Sequence, residues 1–520
     1  MKTNLDNAKT YQLSGENLTI EKIYEISNAS PGEIKVEIEP KARLKMIASR
    51  AYVDAIVEKG NPVYGINTGF GALSNKHIEK KDLSKLQYNL IRSHCTGVGN
   101  PFPRLTTRAI MLLRANCLAS GFSGVSLECV DLLFDFINHD INPIVPEKGS
   151  VGASGDLAPL SHIALALIGE GNVIFKGKEV TALEALSAIG KAPAQLKAKD
   201  GLALINGTAV MAALGSLALY EADRIVKIAD IATAMTLEAV RGTKRAYDPD
   251  ISFLKPQPGQ IKVSENLTKL LLEESEIAKS HIDCGKVQDP YSLRCVPQVH
   301  GAIRQTLDHA HDVFNIEINS VTDNPLIFVD KDKVISGGNF HGEAVALCMD
   351  YLAMGLSEVA SISERRVEKM MNPTFSELPA FLTKESGLNS GLMIAHVTMA
   401  ALASENKYLC HPASIDSIPT STDKEDHVSM GVTSGRKLHE VLRNVKTCLA
   451  IELLCNTQGM DLLAPLKSNT ALNAAYELIR KYVAPITDDR VFSHDINAIA
   501  NLISNFSILE VVEQKIGPLK

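Results

Sequence analysis

The stretch from Thr208 to Arg241 contains no proline and repeats apolar residues at helical spacing. Met211, Leu214, Gly215 and Ala218 form one stripe, and Ile225, Ile228, Ala229 and Ala232 form another. Gly242 is the expected stop. A helix of that length far exceeds the three turns of an average one. Other segments carry the same signal. Val130, Leu133, Phe134 and Ile137 follow the i, i+3, i+4, i+7 rule, and Asn142-Pro143 and Pro146 end that run. Ala344, Leu347, Cys348 and Tyr351 open a pattern that reaches Asn372-Pro373, and Leu438, Val441, Leu442 and Val445 open another. Long helices apolar on more than one face must pack on one another, within a subunit and between subunits. The expected fold is mainly α, a bundle of long helices with a smaller mixed N-terminal part. Strand signals are confined to Ile34–Ile38 and Val173–Phe175. No Gly/Ser- or Pro-rich linker cuts the chain. The expected division is residues 1–200, the mixed part, and 201–520, the bundle and C-terminal part.

Of the 520 residues 45% are hydrophobic and 22% charged, enough apolar material for a large core. The net charge is −7 and no Lys/Arg block occurs, which argues against nucleic acid and anionic membrane as partners. Leu202 to Tyr220 carries no charge, but Asn206, Gly207, Thr208, Gly215 and Ser216 interrupt it. It reads as a buried bundle helix rather than a membrane span. The N-terminus has no apolar targeting core. The nine cysteines form no CxxC pair, which fits free thiols in a reducing, cytoplasmic setting. Cys410-His411 and His281-x-x-Cys284 lack a second pair at zinc spacing, so no metal is expected. Neither nucleotide-binding glycine motif is present, so no nucleotide is expected.

The segment Gly149–Gly171 carries the most chemistry. Its centre is Ala153-Ser154-Gly155. In a tightly bent loop the Gly155 amide nitrogen can attack the Ala153 carbonyl and close a five-membered ring. Glycine reaches the unusual backbone angles this needs, and alanine is small enough to permit the approach. Loss of two waters, one taking the Ser154 hydroxyl, leaves an exocyclic methylene, a strong electrophile. Taken alone, the tripeptide also reads as a Gly-rich turn with Ser154 capping a helix. A serine-hydrolase elbow requires G-x-S-x-G, and Asp156 stands at the last glycine position.

Other motifs bear on that choice. They are Tyr64-Gly-Ile-Asn-Thr-Gly-Phe-Gly71, Gly201-Leu-Ala-Leu-Ile-Asn-Gly-Thr208, Tyr291-Ser-Leu-Arg-Cys-Val-Pro-Gln298, Thr322-Asp-Asn-Pro325, Gly337-Gly-Asn-Phe-His341, Ser404-Glu-Asn406 and Glu425-Asp-His-Val-Ser-Met430. In this order, from about Lys45 to about Leu509, the chain resembles the aromatic amino-acid ammonia-lyase family. That resemblance implies a bundle of the fumarase/aspartase type and a homotetramer with sites built from three subunits. It implies the prosthetic group 4-methylideneimidazol-5-one (MIO), formed from Ala153, Ser154 and Gly155. It assigns Tyr64 as the base for the substrate β-proton, a role that a phenol fills only when its surroundings perturb it. It places Asn206 and Tyr291 against the MIO, and Gln288 and Asn324 along the site. Arg294 takes the substrate carboxylate, which suits a planar bidentate donor. Phe340 stands beside the substrate ring. Ser154, Asn206 and Asn339 each precede an apolar helical pattern, so converging helix N-termini would favour an anionic substrate.

Two positions bear on which amino acid is used. Ser93-His94 stands where members acting on histidine carry Ser-His, and Glu425 where they carry glutamate. A carboxylate pairs with an imidazole nitrogen but faces a phenyl ring unpaired. His94 and Glu425 together favour L-histidine, with trans-urocanate as product. Cys95-Thr96 and Asp423-Lys424 depart from the family pattern and bear on specificity. The alternatives are a tyrosine or phenylalanine lyase, an aminomutase of the same family, a fumarase-like lyase and a catalytically silent helical scaffold.

Overall fold

The computed structural model describes residues 8–282 and 284–520. The chain is mainly α. Four long helices dominate: Ala209–Ala239, Val296–Glu317, Glu343–Met371 and Gly431–Leu462. Three follow from the apolar periodicity. The fourth, Val296–Glu317, is not expected from the sequence; beside an apolar stripe of Val296, Ile303, Leu307, Ala310 and Phe314, its buried face carries charge. His300 and Arg304 are buried there, and both bond to the fully buried Asp230, at 2.8 and 2.6 Å.

The charge-free run from Leu202 is two helices, not one. Asp200–Ile205 ends at Asn206, whose backbone is extended, and the Ala209 helix then begins afresh. At the far end Arg241, not Gly242, takes the left-handed conformation (φ 53°). The Gly242 amide then donates back to the Leu237 carbonyl and closes the helix. Among the described residues one helix, Glu343–Met371, is long and apolar enough to cross a membrane, and most of its apolar stretch is buried in the fold.

Two compact units share these helices. The first comprises the described residues up to Tyr220 with His311–Met349 and Pro412–Arg436. The second comprises Glu221–Ala310, Asp350–His411 and Lys437–Lys520.

In the first unit the strands Lys9–Leu13 and Ile34–Ile38 pair in parallel. Ile34, Val36 and Ile38 point inward, as alternation requires. The Asn138 side chain both accepts from and donates to the Val36 backbone, sealing the strand's other edge. Strands Asn172–Phe175 and Lys178–Thr181 form a hairpin whose two loop residues, Lys176 and Gly177, both have positive φ. Gly215 lies where the Ala209 helix meets Phe314, and a Cβ there would collide with the ring.

In the second unit Glu452 is fully buried and accepts from Arg366 and Thr236. A buried carboxylate needs such donors, and losing one would leave an uncompensated charge.

Candidate active site

The loop Ser150–Asp156 sits where helices begin. Leu157–Leu167 starts directly after it and is 11 residues long. The Asp156 carboxylate accepts from the amides of Val210 and Met211, at 2.8 and 3.1 Å, and so caps the Ala209 helix. The Gly342 amide, one residue before the Glu343 helix, donates to the Gly152 carbonyl. The Met430 amide, just before the Gly431 helix, donates to the Val151 carbonyl at 2.8 Å. Four helix N-termini therefore meet this loop, one more than the sequence pattern implies. The added one follows Ser429-Met430, whose serine hydroxyl also donates to the Gly152 carbonyl.

The loop is tightly bent. Gly152, Ser154 and Gly155 all have positive φ, at 73°, 54° and 73°. For serine this is a strained region. Gly155 bridges to Gly207, and the Asp156 amide donates to the Gly207 carbonyl at 2.8 Å. A Cβ on Gly155 would collide with Gly207, and one on Gly152 with the Ser429 hydroxyl. Ala153 is buried and Ser154 partly exposed.

Glu425 joins this loop. Ser154 Oγ donates to Glu425 Oε1 at 2.8 Å, and Thr420 and Ser421 donate to Oε2 at 2.6 and 3.0 Å. Ser421, Thr422 and Asp423 are three successive left-handed residues that turn the chain so that Glu425 pairs back to Thr420. Tyr64 and His94 both feel the Glu425 charge. Burial pushes the Tyr64 phenol above its usual value, a backbone hydrogen bond from Gly71 opposes this, and the Glu425 charge adds to the rise. Burial lowers the His94 imidazole, while the Leu90 carbonyl and Glu425 act the other way. Because His94 Nδ1 lies 2.8 Å from the Leu90 carbonyl, Nδ1 carries the proton and Nε2 is left as an acceptor. The neighbouring Cys95 thiol is pushed up to about 12 by burial, which argues against a thiolate there.

Asn206 is 3% exposed. Its Nδ2 donates to the Asn324 carbonyl at 2.9 Å and to Asp323 Oδ1 at 3.3 Å, while its buried Oδ1 has no partner among the described residues. Asn324 Oδ1 in turn accepts from the Gly337 amide, tying it to the segment that carries the half-buried Phe340. Beneath Asn206, Lys199 and Asp323 form an ion pair at 3.0 Å, both with no exposed side-chain surface. Sequence reasoning passes over Asp156, Lys199 and Asp323. Each lies within or beside a quoted motif, and a charge next to an apolar helical run is the available signal.

Gln288, Tyr291 and Arg294 belong to the second unit, whereas the residues gathered around Ser154 belong to the first. Tyr291 is 71% exposed and its ring lies under the Arg294 guanidinium at 4.4 Å. Arg294 has no carboxylate partner among the described residues, and its Nε is buried unbonded. With Gln288 and Gln298 it lines an open cleft of about 370 Å³. Among the described residues no group of three His, Cys, Asp or Glu side chains is placed to hold a metal ion.

A bundle of long helices whose N-termini meet at a strained Gly-Ala-Ser-Gly turn marks a carbon–nitrogen lyase of the ammonia-lyase class. The chain belongs to the aromatic amino acid lyase family, whose profile matches residues 18–481. It is 49% identical to the histidine ammonia-lyase of Myxococcus xanthus over 96% of this chain and 98% of that one. The crystal structure of histidine ammonia-lyase from Trypanosoma cruzi superposes with a TM-score of 0.90 at 43% identity, covering 97% of this chain and 95% of that one. Tyrosine aminomutase from Streptomyces globisporus superposes with a TM-score of 0.91 at 35% identity, covering 98% and 100%.

Proposed function

We propose that this protein eliminates ammonia from L-histidine and releases trans-urocanate. The observation that carries the reading is the 2.8 Å hydrogen bond from Ser154 to Glu425, with Tyr64 and His94 in the field of the same carboxylate. An imidazole N–H offers Glu425 a donor, and a phenyl ring at the same place offers none.

The loop fits the formation of MIO. Gly152, Ser154 and Gly155 are already left-handed, Gly155 tolerates no side chain, and Asn206 keeps one buried acceptor without a donor. Ring closure joins the Gly155 nitrogen to the Ala153 carbonyl carbon. The Ala153 oxygen leaves as water with the two amide protons of Ser154 and Gly155, and the Ser154 hydroxyl leaves with its Cα proton. The group supplies an electrophilic carbon that turns the substrate amine into a leaving group.

The remaining roles fall to side chains. Glu425 orients the imidazole, and neutral His94 offers Nε2 as an acceptor beside it. Tyr64 takes the β-proton on its phenolic oxygen. Burial and the Glu425 charge hold that phenol protonated in the substrate-free chain. A substrate imidazole on Glu425 offsets the charge and favours the phenolate. Arg294, unpaired and stacked on Tyr291, suits the substrate carboxylate, with Gln288 and Asn324 as polar lining and Phe340 beside the ring. Asn206 and Tyr291 assist maturation. The protein acts as a cytoplasmic homotetramer in which Gln288, Tyr291 and Arg294 complete the site of a neighbouring subunit.

Ultraviolet absorbance with L-histidine, L-tyrosine and L-phenylalanine, each supplied alone, tests the reading. Urocanate from histidine only is expected. Coumarate or cinnamate would overturn the substrate assignment and keep the lyase, and a β-amino acid product would mark an aminomutase.

A further inference from the structure

We propose that Lys199 is a positioning residue for this site: through Asp323 it holds the Asn206 amide in place. The inference rests on the MIO reading of Ala153-Ser154-Gly155.

The argument starts from hydrogen-bond character. Asn206 Nδ2 meets two oxygens, the Asn324 carbonyl and Asp323 Oδ1. A carbonyl only accepts, and an ionised carboxylate only accepts. The amide NH2 must therefore face them, and Oδ1 must face away. That oxygen is buried without a donor, one residue before the Gly207 that bridges Gly155. The Asn324 carbonyl alone settles which way the amide faces, and the Asp323 carboxylate adds a second, charged acceptor that holds the NH2 in place. The Lys199 ammonium, 3.0 Å from Asp323 Oδ2, holds that carboxylate in position beside Asn206. The other oxygen, Oδ1, also accepts from the Asn324 amide at 2.7 Å, so the same carboxylate shapes the turn that carries Asn324.

Lys199 occupies its position at an evident cost. It is fully buried, and its backbone is left-handed (φ 75°) although it is not glycine. Both features persist only where surroundings over-determine them. Asp200 accepts from the Ser126 amide and hydroxyl and from the Lys197 amide, and Arg50 donates to the Ala198 carbonyl. These contacts pin the backbone on both sides of Lys199 and leave its side chain directed to Asp323.

Two variants test this: Lys199→Met, and Lys199→Met with Asp323→Asn. Each is purified as full chain and read by intact mass, by thermal unfolding, and by kcat and KM for L-histidine. Wild type is expected to show the mass deficit of two waters. In K199M we expect at least a tenfold loss of the matured fraction or of kcat, with a lowered Tm. The double variant removes the unpaired buried charge, so its Tm should recover. Its maturation or kcat should stay low, because a neutral asparagine in place of Asp323 offers the Asn206 amide no charged acceptor. Full maturation with wild-type kcat in K199M overturns the inference. So does a double variant that regains stability, maturation and kcat together, since the pair would then be structural only. A wild-type chain lacking the mass deficit overturns the MIO reading and this inference with it.

Discussion

At Glu425 two demands meet: it accepts a hydrogen bond from the serine of the loop, and its charge acts on Tyr64 and His94. Replacing Glu425 by Gln keeps the shape and removes the charge. A charge-assisted hydrogen bond contributes roughly 1.5–3 kcal/mol, so kcat/KM for L-histidine should fall by about 10- to 100-fold. The sign of the pH effect is also set. Glu425 raises Tyr64, so without it the phenol ionises more readily, and the limb of the kcat/KM profile assigned to Tyr64 moves to lower pH. A profile whose limb stays in place would remove Tyr64 from the base role. Tyr64→Phe should lose about 10²–10⁴-fold in kcat while intact mass still shows the loss of two waters. A Tyr64→Phe chain of unaltered mass would instead place Tyr64 in maturation. The types of these residues and the motifs that hold them were legible in the sequence. That Ser154 donates to Glu425 was not, because the two are far apart in the chain and only the fold brings them together.

Among the helices, periodicity revealed Ala209–Ala239, Glu343–Met371 and Gly431–Leu462 and missed Val296–Glu317, where charged residues sit beside the apolar stripe. A buried His300 and Arg304 look like surface residues until Asp230 is found opposite them. Packing between helices also explains Gly215, whose missing side chain leaves space for Phe314. Gly215→Ala should lower stability by about 1–3 kcal/mol, measured by denaturant unfolding. A neutral result would mean that Phe314 moves aside freely. Asp156, the cap of the Ala209 helix, links this element to pH. Burial pushes its carboxyl up to about 7, from an ordinary value of 3.8. Between those values the unfolded chain releases a proton that the folded chain keeps. Stability from this group is present at low pH and is lost as pH rises toward 7. Asp156→Asn preserves the acceptor for Val210 and Met211, so its Tm should fall less than that of wild type between about pH 5 and 8. Parallel Tm curves would contradict the assignment.

For the whole molecule, the grouping of functional residues into two compact units carries a prediction about assembly. Ser154, Tyr64, His94, Asn206 and Glu425 lie in one unit, and Gln288, Tyr291 and Arg294 in the other. If neighbouring subunits complete each other's sites, co-expressed Ser154→Ala and Arg294→Ala chains should regain activity that neither variant has alone. Absence of complementation in a mixed tetramer, verified by mass, would place all these residues in a single subunit's site. The oligomer itself is checked by light scattering on the purified chain.

The amino-acid sequence alone determined the helical class, because apolar spacing is a local property that any long helix must display. It also determined the family, because the family's motifs depend on residue type at adjacent positions. Tertiary structure decided what depends on burial and on distant partners. It broke the charge-free run at Asn206, put four helix starts around Gly152–Asp156, and buried Lys199 against Asp323. Charge and hydrogen-bond satisfaction act between residues remote in the chain, so these features exist only once the chain has folded.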